Sequence, residues 1–317
     1  MSARLTAGRL VALARPKGAL LIASLPVTGF GYGLWAIGST IHPRYVAGTL
    51  SLLFGVWVVA HAGTMWLNAA LDDDQGEVLL GRPVQVPKRA ALYGYLAIGG
   101  AVAVSWTIDR VTFACAAICA VLSVLYSHPK LALKPTPLGG PLVNGLGYGA
   151  LSPIAGWAAT GAPLTWRAVI TVALGVVFLL GIYWMAQVFQ YEEDAERGYR
   201  TLVVTAGPKV TLRVASVCLV VSAGAAVALC AVGVYPRAVL ASVPFWIWML
   251  VHLRRWAEAP DGGTQKHADR LVLIVTLAVV AAIAGAYGHQ VHAILNGLPT
   301  GGCGTAIVPD ALDHACE

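Results

Sequence analysis

Long apolar runs separated by short polar segments dominate the hydrophobic pattern of the chain. A helix needs about twenty apolar residues to cross a hydrocarbon core of about 30 Å, and nine runs approach or exceed this length. We predict membrane helices over residues 18–41, 46–71, 90–108, 111–127, 138–160, 167–190, 210–233, 237–253 and 271–296. The pattern therefore predicts an all-α, polytopic membrane protein with nine transmembrane helices.

The composition supports a membrane location. Hydrophobic residues make up 58% of the 317 residues and charged residues only 11%, and the mean hydropathy is +0.72. Soluble domains carry about 25% charged residues. We expect an integral protein of a bacterial cell membrane, with one nine-helix domain over residues 1–296 and a tail over residues 297–317. Cys303 and Cys316 lie in this tail, where a disulfide and two free thiols are both open.

The basic residues collect in alternate loops. Seventeen of the 21 fall in one set of loops, and the other set holds Arg44, Arg110, Arg167 and Arg237. Because Lys and Arg are retained on the cytoplasmic side, this bias predicts a cytoplasmic N-terminus and an external C-terminus. The net charge of +6 then reflects topology and contact with anionic lipid. We expect the lipid bilayer as a partner, and no nucleic acid.

The acidic residues concentrate where the second and sixth predicted helices end. Eight of the 15 lie in two clusters. They are Asp72, Asp73, Asp74 and Glu77 in the first cluster, and Glu192, Glu193, Asp194 and Glu196 in the second. Under the predicted topology, both clusters lie on the cytoplasmic face.

Each of these two helices also carries a polar stripe that leads to its acidic cluster. His61, Met65, Asn68 and Asp72 recur at i, i+4, i+7 and i+11, and so do Tyr183, Gln187, Gln190 and Asp194. Residues at this spacing share one helix face, and polar groups inside a membrane are costly unless they face a cavity or each other. The stripes predict a central cavity open to the cytoplasmic side. Hydrogen bonding between helices alone is the structural alternative.

Basic loops lie beside the acidic clusters. One loop follows the second helix and contains Arg82, Lys88 and Arg89, and another follows the fourth helix and contains Lys130 and Lys134. Carboxylates and cations at one cavity mouth suit a diphosphate that is held by Mg²⁺ and by basic side chains. Neither Cys/His spacing typical of zinc nor a phosphate-binding or dinucleotide glycine loop is present in the sequence.

At these residues the sequence resembles the UbiA superfamily of intramembrane prenyltransferases, from about Arg15 to Gly207. Asn68 and Asp72 match its first Asp-rich motif, which Arg82-Pro83 follows, and Tyr126-Ser127-x-Pro129 with Lys134 matches a diphosphate-binding loop. The remaining matches are Arg15-Pro16 before the first helix, and Glu192, Asp194, Gly198, Thr201, Leu202 and Gly207 at the second Asp-rich motif.

The resemblance implies nine helices, Mg²⁺-assisted ionisation of a polyprenyl diphosphate, and prenyl transfer to a small aromatic or lipidic acceptor. By this resemblance Mg²⁺ would be bound by Asn68, Asp72, Asp73, Glu77, Gln190, Glu192 and Asp194. The diphosphate would contact Arg15, Arg82, Tyr126, Ser127, Lys134 and Arg200. Asp72 and Asp194 are the expected catalytic carboxylates.

Both Asp-rich motifs depart from the family pattern. Ala69 and Gly76 replace aspartates of the first motif, and Gln190 replaces the first aspartate of the second. The neighbouring carboxylates could substitute for the missing ligands. They are Asp73, Asp74, Glu77, Glu192 and Glu193. The departures predict an altered metal site.

Other functions remain open at the level of sequence. A terpene cyclase of the same superfamily could use Trp66, Tyr183 and Trp184 to stabilise cations. A transporter and a non-catalytic protein that binds prenyl lipids are further alternatives. His61, about two turns from Asn68, is a candidate catalytic base or acceptor-orienting group, and a structural histidine is the alternative.

Overall fold

The computed structural model describes residues 6–37, 43–72, 84–128, 133–258 and 265–295. All regular secondary structure in these ranges is helical. The α-helices are α1 (Ala7–Leu13), α2 (Pro16–Ile37), α3 (Pro43–Asp72), α4 (Ala90–Ser105), α5 (Arg110–Ser127), α6 (Gly139–Asn144), α7 (Ser152–Ala158), α8 (Trp166–Phe189), α9 (Tyr191–Glu196), α10 (Leu202–Ala206), α11 (Pro208–Ala231), α12 (Val243–Ala257) and α13 (Gln265–Leu295). A π-helical segment, Gly145–Leu151, joins α6 to α7, and a 3-10 turn, Arg237–Ser242, precedes α12.

Six of the described helices are long and apolar enough to cross a membrane. The six spans are Pro16–Ile37, Tyr45–Leu71, Arg110–Ser127, Trp166–Phe189, Pro208–Ala231 and Lys266–Gly285. Large apolar side chains such as Val121, Val169 and Val217 point outward from them, as contact with lipid tails requires. The all-α membrane architecture is therefore confirmed, whereas the count of nine crossings and the cytoplasmic opening stay predictions.

The predicted helix over 138–160 forms without a break from Gly139 to Ala158, and its middle part is π-helical. The chain passes directly from α6 into the π-helical segment and then into α7. The π-helical segment contains Gly145, Gly147 and Gly149, and a Cβ at Gly149 would overlap the backbone of Val176 in α8. This segment therefore packs backbone against backbone at Gly149, and its Tyr148 side chain lines two cavities of the protein.

Small residues bring other helices equally close. A Cβ on Gly156 of α7 would overlap the carbonyl oxygen of Pro26 in α2. In the same way, a Cβ on Gly29 of α2 would overlap the carbonyl oxygen of Pro153 in α7. Gly63 of α3 and Gly94 of α4 meet in the same way. Membrane helices lack a hydrophobic driving force between them, so such close packing is a main source of their association. The result is a helical wall around a central cavity.

Candidate functional site

The centre of the helix assembly contains a polar chamber of about 180 Å³. Its walls come from the segment before α2, from the C-terminal parts of α3, α5 and α8, and from the residues around the π-helical segment. The polar residues in the wall are Arg15, Thr64, Asn68, Ser123, Tyr126, Lys134, Asn144, Tyr148, Tyr183 and Gln190. Two cations and no carboxylate are among the described lining residues, so the chamber suits an anion.

Arg15 reaches the chamber from a strained backbone conformation. It lies between α1 and α2 and immediately before Pro16, with a φ of 50°, in the left-handed region that non-glycine residues rarely adopt. The Trp66 indole N–H donates to the Leu10 carbonyl oxygen at 2.8 Å and thereby fixes α1 on α3. This contact holds the chain that leads to Arg15, whose side chain lines both the polar chamber and the apolar chamber beside it.

Two residues of the predicted site meet across α3 and α5. The Ser127 hydroxyl donates to the Asn68 amide oxygen at 3.4 Å, and both side chains are buried. Asn68 lines the polar chamber, whereas Ser127 lies behind it. Ser127 is therefore placed to orient the Asn68 amide.

Asp194 is positioned by the turn that ends α9. Gly198 has a φ of 70°, a conformation that glycine tolerates best, and the Tyr199 N–H donates back to the Asp194 carbonyl oxygen at 2.9 Å. The reversed chain brings the Thr201 hydroxyl to the Asp194 carboxylate at 3.0 Å. In the same turn the Arg200 N–H donates to the Pro135 carbonyl oxygen at 2.9 Å, next to Lys134.

The Asp194 carboxyl is only 4% exposed. Burial raises the pKa of Asp194 above its ordinary value, although the hydrogen bond from Thr201 and the charge of Lys134 act in the opposite direction. Asp194 follows Gln190 by one helical turn, and Gln190 lines the polar chamber. Gln190 thus places an amide in the chamber wall, and the Asp194 carboxylate follows one helical turn later without lining the chamber.

Among the other predicted site residues that the structure describes, Glu192 and Arg200 do not line this chamber. Glu192 and Arg200 are exposed, and Glu193 pairs with Arg197 at 2.7 Å. Asp73, Glu77 and Arg82 lie outside the described residues, and so does the side chain of Asp72 at the end of α3. Their predicted roles remain predictions.

The oxygen donors around the chamber fit Mg²⁺. Across the described ranges no three His, Cys, Asp or Glu side chains group in a way that could hold a metal ion. Mg²⁺ does not need such a group, because it usually takes one or two carboxylates and shares phosphate oxygens. Asn68, Gln190 and Asp194 supply hard oxygen donors beside the two cations of the chamber.

An apolar chamber of about 190 Å³ adjoins the polar one. Arg15, Met65, Asn144, Tyr148 and Ala186 line both chambers. The rest of the apolar wall is formed by Gly18, Leu21, Ile22, His61, Ile182, Met185, Trp256, Ala268, Leu271 and Val272. A charged compartment therefore opens directly onto a hydrophobic one.

His61 lies in the apolar wall and is 7% exposed. Neither ring nitrogen has a hydrogen-bond partner among the described residues. Its ring centroid lies 6.4 Å from that of Tyr148. Because buried polar groups are normally paired, the imidazole is available as a hydrogen-bond partner for a molecule bound in the apolar chamber.

Sequence reasoning missed Asn144 and Tyr148. Asn144 donates to the Gly140 carbonyl oxygen at 2.9 Å, and Tyr148 also lines a third, smaller cavity of about 30 Å³. An Asn inside an apolar run was a usable signal, since the same reasoning selected Asn68. Among the proposed aromatic residues, Tyr183 lines the polar chamber, whereas Trp66 and Trp184 line neither chamber. Trp256, which the sequence analysis did not propose, lines the apolar chamber.

Comparison with known proteins identifies the family. The model of the UbiA prenyltransferase family matches residues 24–274. The chain belongs to the UbiA prenyltransferase family. The resemblance seen in the sequence is therefore confirmed, and with it the assignment to a family of prenyl-transferring enzymes.

The individual UbiA relatives described next share less than 30% sequence identity with this chain. A protoheme IX farnesyltransferase from Hyphomonas neptunium is 28% identical over 213 residues, and the match covers 65% of each chain, just under two thirds of that relative. A UbiA homolog from Archaeoglobus fulgidus bound to GPP and Mg²⁺ superposes with a TM-score of 0.62 at 19% identity, covering 88% of this chain and 99% of that one. A digeranylgeranylglyceryl phosphate synthase gives 0.58 at 16% identity over 89% and 98% of the two chains. At these identities the solved structures show a shared fold.

Proposed function

We propose that the protein is a Mg²⁺-dependent intramembrane prenyltransferase that transfers the prenyl group of a polyprenyl diphosphate to a small aromatic or lipidic acceptor. The observation that carries this proposal is the junction of a cationic chamber with an apolar one through a common wall. A prenyl diphosphate has the same two parts, an anionic head and a hydrocarbon tail. Its reactive carbon would lie at the junction.

The diphosphate would lie in the polar chamber. Arg15 and Lys134 supply positive charge there, and Tyr126 supplies a hydroxyl donor. Negative charge on the departing diphosphate grows as the bond between carbon and oxygen breaks, so fixed donors and cations lower the barrier to ionisation. Arg82, Ser127 and Arg200 are further diphosphate contacts implied by the family motifs.

The residues that would hold Mg²⁺ are Asn68, Gln190 and Asp194, together with Asp72, Asp73, Glu77 and Glu192 from the two acidic clusters. Bound Mg²⁺ would neutralise charge on the diphosphate oxygens. Homologs from Archaeoglobus fulgidus were solved with GPP and Mg²⁺ and with DMAPP and Mg²⁺, which supports this assignment.

The prenyl chain would occupy the apolar chamber, whose walls keep water from the allylic cation. The carbon–oxygen electron pair leaves with the diphosphate, and the acceptor forms the new bond to carbon. His61 would take the proton that the acceptor loses. This assignment is supported by its position in the wall of the apolar chamber and by its ring nitrogens, which have no partner among the described residues.

Acceptors of two chemical classes should be tested. The names of the relatives, a protoheme farnesyltransferase and a digeranylgeranylglyceryl phosphate synthase, support both aromatic and lipidic acceptors as test compounds.

The test is diphosphate release by the purified protein in detergent, with geranyl, farnesyl and geranylgeranyl diphosphates, with and without Mg²⁺ and acceptors. We expect release that needs both Mg²⁺ and an acceptor, and its loss in Asp72→Ala and Asp194→Ala. Asp109→Ala is the matched control. Asp109 caps the N-terminal end of α5, where its carboxylate accepts from the Val111 N–H at 2.7 Å. The polar chamber is lined by the other end of α5, at Ser123 and Tyr126.

Asp109→Ala should cost about 1 kcal/mol of stability and leave turnover unchanged. Wild-type turnover in both Asp72→Ala and Asp194→Ala would contradict the proposal. Release without an acceptor, together with a cyclic product, would replace the transferase by a cyclase.

A further inference from the structure

Tyr148 lines the polar chamber, the apolar chamber and the smaller third cavity, and no other described residue lines all three. It belongs to the π-helical segment, a type of helix that occurs frequently at functional sites. Its ring centroid lies 6.4 Å from that of His61, which lines the apolar chamber and the third cavity. Tyr148 therefore lies where the three cavities adjoin one another.

The backbone is fixed on both sides of this tyrosine. The Gly147 carbonyl oxygen accepts from the Ser152 hydroxyl at 2.9 Å, and the Ser152 hydroxyl accepts from the Trp57 indole N–H at 2.8 Å. On the other side, a Cβ at Gly149 would lie 2.7 Å from the Cα of Val176, so the two backbones are in contact. Because both neighbours are held, the aromatic ring between them is anchored at the junction of the chambers.

The proposed reaction creates positive charge at this junction. The allylic cation forms as the electron pair of the carbon–oxygen bond leaves with the diphosphate. Among the described residues, Arg15 and Lys134 are the charged side chains that line the two chambers, and both attract the diphosphate and repel a cation. The face of an aromatic ring attracts a cation, most strongly where water is excluded. An aromatic ring at the junction would therefore stabilise the charge that the two cations do not.

The other aromatic side chains of the chambers lie to one side of the junction. Tyr126 and Tyr183 line the polar chamber and not the apolar one. His61 and Trp256 line the apolar chamber and not the polar one. Of the described aromatic residues, only Tyr148 lies in the wall that both chambers share, where the reactive carbon would lie.

We propose that Tyr148 is a catalytic residue whose ring stabilises the allylic cation at the junction of the two chambers. This inference rests on the proposed prenyltransferase function. The ring forms no bond, since the acceptor supplies the electron pair of the new bond to carbon. The cation develops only as the carbon–oxygen bond breaks, so the ring acts in the transition state and not on the bound substrate. Its loss should lower kcat and leave KM for the prenyl diphosphate nearly unchanged.

The first part of the experiment compares Tyr148→Leu with Tyr148→Phe, by Mg²⁺-dependent release of diphosphate from geranyl diphosphate with saturating acceptor. Tyr148→Leu removes the π face and should lower kcat by roughly 30-fold, as expected for a cation–π contact away from water. Tyr148→Phe keeps the π face and should lower kcat by no more than about threefold.

The second part changes the charge of the ring face and keeps its shape. Phenylalanines that carry one, two and three ring fluorines replace Tyr148, and each fluorine makes the ring face less negative. We expect kcat to fall stepwise from that of Tyr148→Phe toward that of Tyr148→Leu, with KM nearly constant. This series tests the proposal even if Tyr148→Leu does not fold, because the fluorinated rings fill the same space.

Tyr235 provides the matched control. Its ring stacks on that of Tyr32 with 4.1 Å between centroids, and it lines none of the three cavities. Tyr235→Leu should lower the melting temperature and leave kcat unchanged, and fluorinated rings at this position should also leave kcat unchanged. A kcat that is independent of the fluorines at position 148, equal losses in Tyr148→Phe and Tyr148→Leu, or an effect confined to KM would overturn the role of the ring.

Failure of the broader proposal has a different signature. If the folded wild-type protein and Tyr235→Leu both release no diphosphate from any prenyl substrate, the prenyltransferase function is contradicted, and the role of Tyr148 with it. If the wild-type protein is active and Tyr148→Leu keeps its kcat, only the role of Tyr148 is contradicted.

Discussion

Asp194 shows how a single residue can serve function at the expense of stability. Its carboxyl is buried and its pKa is raised, so the folded protein binds the proton more tightly than the unfolded chain does. The contribution of Asp194 to stability is therefore greatest below the ordinary pKa of Asp, and it declines as the pH rises through the raised pKa. A metal ion requires the charged form, which predominates only above that raised pKa.

Replacing Asp194 by Asn should separate these two effects. Asn keeps the shape and can still accept the hydrogen bond from Thr201, and it carries no charge to desolvate. We expect Asp194→Asn to melt at the same or a higher temperature than the wild-type protein at pH 7, and to lose Mg²⁺-dependent diphosphate release. A clear fall in melting temperature would show that the buried charge stabilises the fold.

Arg15 combines a strained backbone with a positive charge at the chamber. Two substitutions should separate the effect of the strain on stability from the effect of the charge on substrate binding. The left-handed conformation destabilises a non-glycine residue by about 1–2 kcal/mol, whereas glycine adopts it without this strain. Arg15→Gly should therefore be about 1 kcal/mol more stable than Arg15→Ala, as measured by unfolding in detergent. Both variants should raise KM for the prenyl diphosphate by at least roughly tenfold, the loss of one charge-assisted contact. Equal stability of the two variants would mean that φ relaxes when the side chain is removed.

Among the elements, the segment between α6 and α7 differs most from the sequence prediction. Apolarity over 138–160 predicted one helix, and apolarity does not distinguish an α-helix from one that contains a π-helical segment. The π-helical segment contains Gly149, which packs against Val176, a residue distant in sequence. For the same reason the sequence identified Asn68, Tyr126 and Lys134 from motifs but missed Tyr148, whose role depends on where the π-helical segment points it.

The packing of α7 against α2 can be tested with two glycines. Gly156→Ala would place a Cβ on the Pro26 carbonyl oxygen, so the two helices must separate. We expect a loss of about 1–3 kcal/mol, the usual cost of overpacking, from unfolding in detergent. Gly224→Ala in α11 is the control, because no other atom lies near its Cβ. It should be neutral or should gain about 0.5–1 kcal/mol, and equal losses in both variants would contradict the close packing.

At the scale of the whole molecule, composition and motif order were sufficient to predict an all-α membrane protein of the UbiA family. Each apolar run contributes to that prediction independently, so a π-helical segment within one helix does not change it. The two adjoining chambers were harder to predict from the sequence, because their walls combine residues from six or more segments of the chain. Sequence spacing relates residues on one helix, and it does not relate residues on different helices.

The predicted topology makes a claim about the whole molecule that single cysteines can test. Lys88 precedes α4 in a basic loop, and Thr165 precedes α8 at the end that the charge bias places outside; both are exposed. In a background with all six native cysteines replaced, a membrane-impermeant maleimide should label Thr165→Cys on intact bacterial cells. It should label Lys88→Cys only after lysis, since basic loops are retained in the cytoplasm. The reverse result would place the acidic clusters and the polar chamber on the external face, where a cytoplasmic prenyl diphosphate could not reach them directly.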